Sequence, residues 1–200
     1  MAATLLKLIK DRRTYYPLSK DLTIPASRIE EIVGQLITDV PSSFNSQSNR
    51  AVLLLGAEHD KLWDITSDAL RAVVPEENWK PTGDKLALFK GGAGTVLFFV
   101  DEEPVKELQK NFALYADKFP VWADQSLGML QFAVWTALEA EGLGANLQHY
   151  NPLPDAKIAE TWKIPASWKL NAQLVFGGRT GEAGPKESKP VSEVFKVHSS

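Results

Sequence analysis

The chain has no cysteine, and its 200 residues include only three histidines, His59, His149 and His198. The missing thiols exclude disulfides, cysteine nucleophiles, cysteine-ligated zinc and iron–sulfur clusters together, and three scattered histidines suggest no protein-built metal site. Excess positive charge is also missing. With a net charge of -3 and a pI near 5.7, nothing attracts the chain generally to nucleic acid or anionic membranes, and neither is an expected partner. No apolar run reaches the length of a membrane span, and MAATLLKLIKDRR is too short in its apolar part and too charged for a signal peptide. A cytoplasmic location is expected, with the nucleus as the other candidate. Walker A, GxGxxG and GxSxG patterns are absent. GGAG at 91–94 precedes a strand pattern, whereas a phosphate-cradling loop follows a strand and opens a helix. Ser42 and Ser43 have no readable relation to a histidine, so a hydrolytic triad is not expected.

What is present reads as one globular domain over 1–200, with 44% apolar and 24% charged residues. Leu5, Leu8 and Ile9 predict a first helix over 3–12. A second follows, with Ser27 and Glu30 as a capping box, a stripe of Ile29, Ile32, Val33, Leu36, Ile37 and Val40, and a stop at Pro41. AVLLLG (51–56) reads as a buried strand, Leu62 to Val73 as a third helix, and PEENWKPTGD (75–84) as a polar loop. TVLFFV after GGAG and NAQLVFG (171–177) read as further strands, LQHY as extended, and Pro154 as the start of a helical turn. Helical pattern resumes near 104 and leads to a long segment from Trp122 to Glu141, apolar on more than one face. Such a helix lies in a core or in a subunit interface.

Three polar clusters stand out. In RRTYY (12–16), Arg12 and Arg13 either complement the helix C-terminus or bind a phosphate monoester through bidentate guanidinium contacts. DVPSSFNSQSNR (39–50) is either a hydrophilic connection or a binding loop. The tail GRTGEAGPKESKPVSEVFKVHSS carries Lys186 and Lys189, and is either a solvated terminus or a segment docked on a partner.

In order and spacing, RRTYY, PSSFNSQ, GTVLFFVDEE, EGLGANLQHYNP and GPKESKP resemble the flavin-dependent nitroreductases. More narrowly, they resemble the small fungal nitroreductase-like branch associated with fatty-acid repression and its bacterial relatives. The resemblance spans almost the whole chain. It implies an α+β fold with a central, mostly antiparallel sheet flanked by helices, in an intertwined homodimer that holds two FMN molecules, with the tail 180–200 docking on the partner subunit.

Residue by residue, the resemblance implies that Arg12, Arg13 and Thr14 bind the phosphate and pyrimidine side of FMN. Ser42, Ser43, Asn45 and Gln47 form the loop that reaches the flavin, the serines and Asn45 from the other subunit. Gln148 and His149 lie near the reactive edge of the ring, His149 also being a possible substrate contact, and Lys186 and Lys189 complete the phosphate site. The implied reaction is ping-pong two-electron transfer from NADPH or NADH through FMN to a nitroaromatic or quinone, with the chemistry on the flavin and no separate catalytic residue. Tyr16 replaces a basic residue of many relatives, SNR replaces a Pro-Trp pair, and the short chain implies a narrower pocket. Two alternatives stand beside this reading: a flavin-binding redox sensor or regulator without fast turnover, and a flavin-free module that uses the arginines for another phosphate.

Overall fold

The computed structural model describes residues 2–199. Its elements run α1 (Ala2–Asp11), β1 (Leu18–Ser19), α2 (Ala26–Asp39), β2 (Asn49–Leu55), α3 (Ala57–Arg71), α4 (Trp79–Lys90), β3 (Gly94–Asp101), α5 (Glu102–Asn111), α6 (Phe119–Ala140), β4 (Gly144–Gln148), α7 (Asp155–Trp162), β5 (Trp168–Arg179) and α8 (Val191–Val194). Every strand pairing is antiparallel: β2 pairs β3, β3 pairs β5, and β5 also takes β4 and, at its end, β1. The α+β architecture with an antiparallel central sheet is thus as the resemblance implies.

The sheet divides two cores, because alternate strand residues face opposite sides. Val96, Phe98 and Val100 join Leu127, Leu130, Val134 and Leu138 of α6 and Ile29 of α2 on one face. Leu97 and Phe99 join Leu62 and Trp63 of α3, Phe89 of α4 and Ile158 of α7 on the other. A bulge where Phe98 and Phe99 face Ala172 and Leu170 inverts this alternation on β5. Leu170 therefore joins the second core while Ala172 joins the first, and Asn171 is left over to hydrogen-bond Gln131 and Asp124 of α6.

The N-terminal segment reaches the sheet through a glycine. A methyl group at Gly177 would lie 2.3 Å from the Ser19 carbonyl oxygen, so only glycine lets β1 lie against β5. This contact carries the chain after α1 alongside β4 and β5.

Several local expectations are corrected. PEENWKPTGD is not a loop: α4 starts at Trp79, and Pro81 falls in its first turn, where a missing N–H costs no helical hydrogen bond. Ser27 and Glu30 form no capping box, because α2 starts at Ala26 with Pro25 in the cap position and no side-chain cap bond. β2 begins earlier than AVLLLG, and as an edge strand it is mostly half-buried, with Leu54 its one buried leucine. The long helix starts at Phe119, three residues before Trp122.

Two apolar surfaces are left without partners in the single chain. No residue of α1 is buried, and Leu5 and Leu6 are 57% and 65% exposed. On α6, Val121, Met129 and Phe132 are exposed along one stripe, and a Cβ at Gly128 would meet nothing within 4 Å. No helix among the described residues is long and apolar enough to cross a membrane.

Candidate functional site

The end of α1 and the turn after it are fixed by a buried carboxylate. Glu139, near the end of α6, accepts hydrogen bonds from the Arg13 backbone N–H at 2.9 Å and from Trp135 Nε1 at 2.7 Å. Arg179 at the end of β5 stands 3.7 Å from the same carboxylate. Burial raises the Glu139 pKa above the usual carboxylate range, opposed by these donors and by the charges of Arg179 and Arg12. Arg12 lies over the Trp135 ring at 4.2 Å, and its Nη1 is buried with no hydrogen-bond partner. A buried guanidinium nitrogen with no acceptor is costly. The surrounding cleft, about 660 Å³, is lined by Lys7, Lys10, Arg12, Arg13, Glu139 and Arg179 among others.

Cross-links join this turn to β4. Tyr15 N–H bonds the Ala145 carbonyl at 3.0 Å, and Asn146 Nδ2 returns a 2.8 Å bond to the Tyr15 carbonyl. Thr14 is thus held beside the strand that ends at Gln148, whose Nε2 donates to Asn146 Oδ1 at 2.8 Å. His149 follows, exposed. The fold accordingly sets the turn at Tyr15 beside Asn146 and Gln148, with Arg12, Arg13 and Thr14 just before it in the chain and His149 just after the strand. The tail passes close by, with Arg13 Nη2 donating to the Gly184 carbonyl at 2.5 Å. Lys186 and Lys189 are exposed and make no hydrogen bond or ion pair among the described residues.

Ser42, Ser43, Asn45 and Gln47 lie elsewhere, against the opposite end of α6. Ser43 N–H donates to Ser126 Oγ at 3.1 Å and Ser42 Oγ accepts from Gln47 N–H at 2.9 Å. Three residues without the freedom of glycine take positive φ here: Phe44 (56°), Asn45 (50°) and Gln47 (48°). Such residues cost about 1–3 kcal/mol each and persist only where surroundings enforce them. Arg50 helps, donating to the Gln47 carbonyl at 2.6 Å while paired with Asp101 at 2.8 Å. Asn45 and Gln47 remain exposed, lining a second cleft of about 470 Å³.

Ser126 and Glu139 mark the two clusters, thirteen positions apart on α6, or about 20 Å at the helical rise. One chain therefore does not unite the two halves of the predicted site. Sequence reading also passed over Glu139, Arg179 and Arg50. The one available signal was an ionisable residue four positions after Trp135 in the mostly apolar C-terminal half of the helix.

Fold and site together define an α+β protein with an antiparallel sheet and two polar clusters at opposite ends of one long helix, one of them gathering Arg12, Arg13 and Arg179 around Glu139. The Nitroreductase family model matches residues 9–178. The putative nitroreductase HBN1 of Saccharomyces cerevisiae is 40% identical over 186 residues, 92% of either chain. Nitroreductase CinD from Lactococcus lactis, solved in complex with chloramphenicol, is 42% identical over 98% of this chain and all of that one, with a TM-score of 0.90. At 16% identity and a TM-score of 0.74, the FMN-dependent nitroreductase NfnB from Mycobacterium smegmatis in complex with NADPH shares the fold. The chain belongs to the nitroreductase family, which puts its chemistry among the oxidoreductases.

Proposed function

We propose that this protein is an FMN-dependent NAD(P)H oxidoreductase that reduces nitroaromatics or quinones, working as a homodimer with two composite sites. The observation that carries this reading is the buried, partnerless Arg12 Nη1 in a cleft shared with Arg13 and Arg179. A phosphate monoester supplies the acceptors that this nitrogen lacks, and guanidinium suits it through charge-assisted bonds. The residues present thus fit FMN.

Arg12 and Arg13 hold the phosphate, with Lys186 and Lys189 adding charge from the tail. Thr14, Gln148 and His149, tied together through Tyr15 and β4, line the ring end. When bound, FMN supplies two-electron exchange between a nicotinamide donor and an electron-poor acceptor. The chain's residues orient both, exclude water and present fixed dipoles. His149 stands at the open edge, where it contacts substrate.

Ser42, Ser43 and Asn45 come from the second copy, with Gln47 on the same loop. The exposed stripe of Val121, Met129 and Phe132 runs along α6 between the two clusters, and α1 adds exposed leucines. Pairing two α6 helices about a twofold axis near Phe132 buries this stripe and sets the serine loop of one copy against the arginine cleft of the other. The tail 180–200, with Val191, Val194, Phe195 and Val197 all exposed, docks on the same partner. Chloramphenicol in the CinD complex supports a nitroaromatic acceptor, and NADPH with NfnB supports a nicotinamide donor.

The test is the absorbance spectrum of natively purified protein without oxygen. Flavin bands that bleach with NADPH or NADH, return with a nitroaromatic or quinone, and do so repeatedly bear the reading out. A single reductive equivalent followed by arrest indicates a redox sensor, and a colourless protein that takes up no FMN contradicts the proposal.

A further inference from the structure

Phe44 lies among the strained residues of the serine loop but belongs to none of the cofactor-facing positions. Its ring is 5.2 Å from Phe112, 5.2 Å from Phe119 and 5.7 Å from Trp122, the last nearly parallel at 13°. Phe119 and Trp122 contact each other edge-on at 5.2 Å, and Phe112 lies 6.1 Å from Phe119. Three aromatic residues thus form a cage, and Phe44 fills it while still 52% exposed. A bulky side chain with φ of 56° is a conformational outlier, and asparagine or glycine would tolerate that position better. Only the ring explains a phenylalanine there.

The geometry points to Phe44 as a positioning residue for FMN, which locks the loop of Ser42, Asn45 and Gln47 into its binding conformation by docking in the cage of Phe112, Phe119 and Trp122. The inference rests on the flavin reading and goes beyond it. Phe112 and Phe119 bracket the connection from α5 to α6, where Leu114 is 83% and Tyr115 46% exposed. Through Phe44, that surface connection is coupled to cofactor retention. Asn45 N–H to the Ser42 carbonyl, Ser46 N–H to the Ser43 carbonyl, Gln47 N–H to Ser42 Oγ and Ser43 N–H to Ser126 Oγ tie the loop, while φ at Phe44 is opposed by intrinsic preference. When the competent conformation is only a fraction of the ensemble, the apparent dissociation constant rises by the inverse of that fraction.

The test is FMN affinity, measured by flavin fluorescence quenching on the flavin-stripped dimer, for Phe44→Ala, Phe44→Gly, Phe44→Tyr, Phe112→Ala and the Phe44→Ala/Phe112→Ala double variant. Phe44→Ala is expected to raise the dissociation constant about tenfold, the order of effect for losing aromatic pairs that hold one conformer. Phe44→Gly is expected to lose as much although glycine accepts the backbone geometry freely, and Phe44→Tyr to bind like wild type. Phe112→Ala is expected to weaken binding from outside the site, and the double variant to fall short of the product of the two single effects. Wild-type affinity in Phe44→Ala or Phe44→Gly, failure of Phe44→Tyr to restore it, or independent effects in the double variant would overturn the inference. A wild-type protein that binds no FMN would instead overturn the flavin reading itself.

Discussion

His59 provides a quantitative test of the second core, away from the proposed cofactor site. The ring is fully buried, its Nδ1 2.8 Å from Thr95 Oγ1 and its Nε2 3.3 Å from the Lys90 carbonyl oxygen, with Trp63 Nε1 also bonding Thr95 Oγ1 at 3.2 Å. Burial first, and the charge of Lys20 second, lower its pKa from 6.5 to about 4. The unfolded chain therefore binds this proton more readily than the folded one, and stability falls as pH drops from above 6.5 toward 4. Linkage puts the loss at about 2 kcal/mol by pH 5 and about 3 kcal/mol once both states are protonated. The perturbation is His59→Gln, which keeps an amide able to bond Thr95 but does not titrate. Urea unfolding of flavin-stripped protein at pH 7 and pH 5, at one protein concentration, should show wild type losing about 2 kcal/mol more than the variant. Equal losses in the two proteins would refute the argument.

Other outcomes follow from the same geometry. Arg12→Ala and Asn45→Ala should each weaken FMN retention about tenfold or more, as expected for lost polar contacts to a charged or tightly oriented ligand, while circular dichroism and melting show a folded chain. Leu130→Ala removes a fully buried side chain of α6 and should cost about 2–5 kcal/mol in denaturant unfolding. Phe132→Glu, on the exposed stripe of α6, should yield monomers in sedimentation and lose flavin at the same time, because two buried like charges face each other across the proposed axis.

Much of the fold was legible because long patterns leave few choices. TVLFFV reads as a buried strand, and it is buried throughout as β3; the stripe of Ile29, Ile32 and Val33 faces the core as its spacing implies. Punctuation misled where position mattered more than residue type: Pro81 and Gly83 suggested a loop but sit within α4, Gly83 against the Trp79 ring. The over-apolar segment 122–141 was ambiguous between core and interface, and α6 serves the core with Leu127, Leu130, Val134 and Leu138 while leaving Met129 and Phe132 exposed. For the site, short motifs marked the clusters but could not say which meet. The meeting of RRTYY with LQHY depends on Tyr15 pairing with Ala145, a contact across 130 positions that no local spacing encodes. Glu139 and Phe44 were hidden for a similar reason: the significance of each lies in distant partners.

The central claim is that each flavin site is shared between two copies, and mixing two defective variants tests it most directly. Arg12→Ala/Arg13→Ala protein and Asn45→Ala protein, stripped of flavin, are co-refolded, and FMN binding is titrated. In a mixed dimer, the intact arginines of one copy face the intact loop of the other, so one of its two sites is whole. Random pairing then restores tight binding to about a quarter of all sites, from parents that bind weakly when alone. Mixed dimers confirmed by differential tags that bind no more FMN than their parents would contradict the shared site.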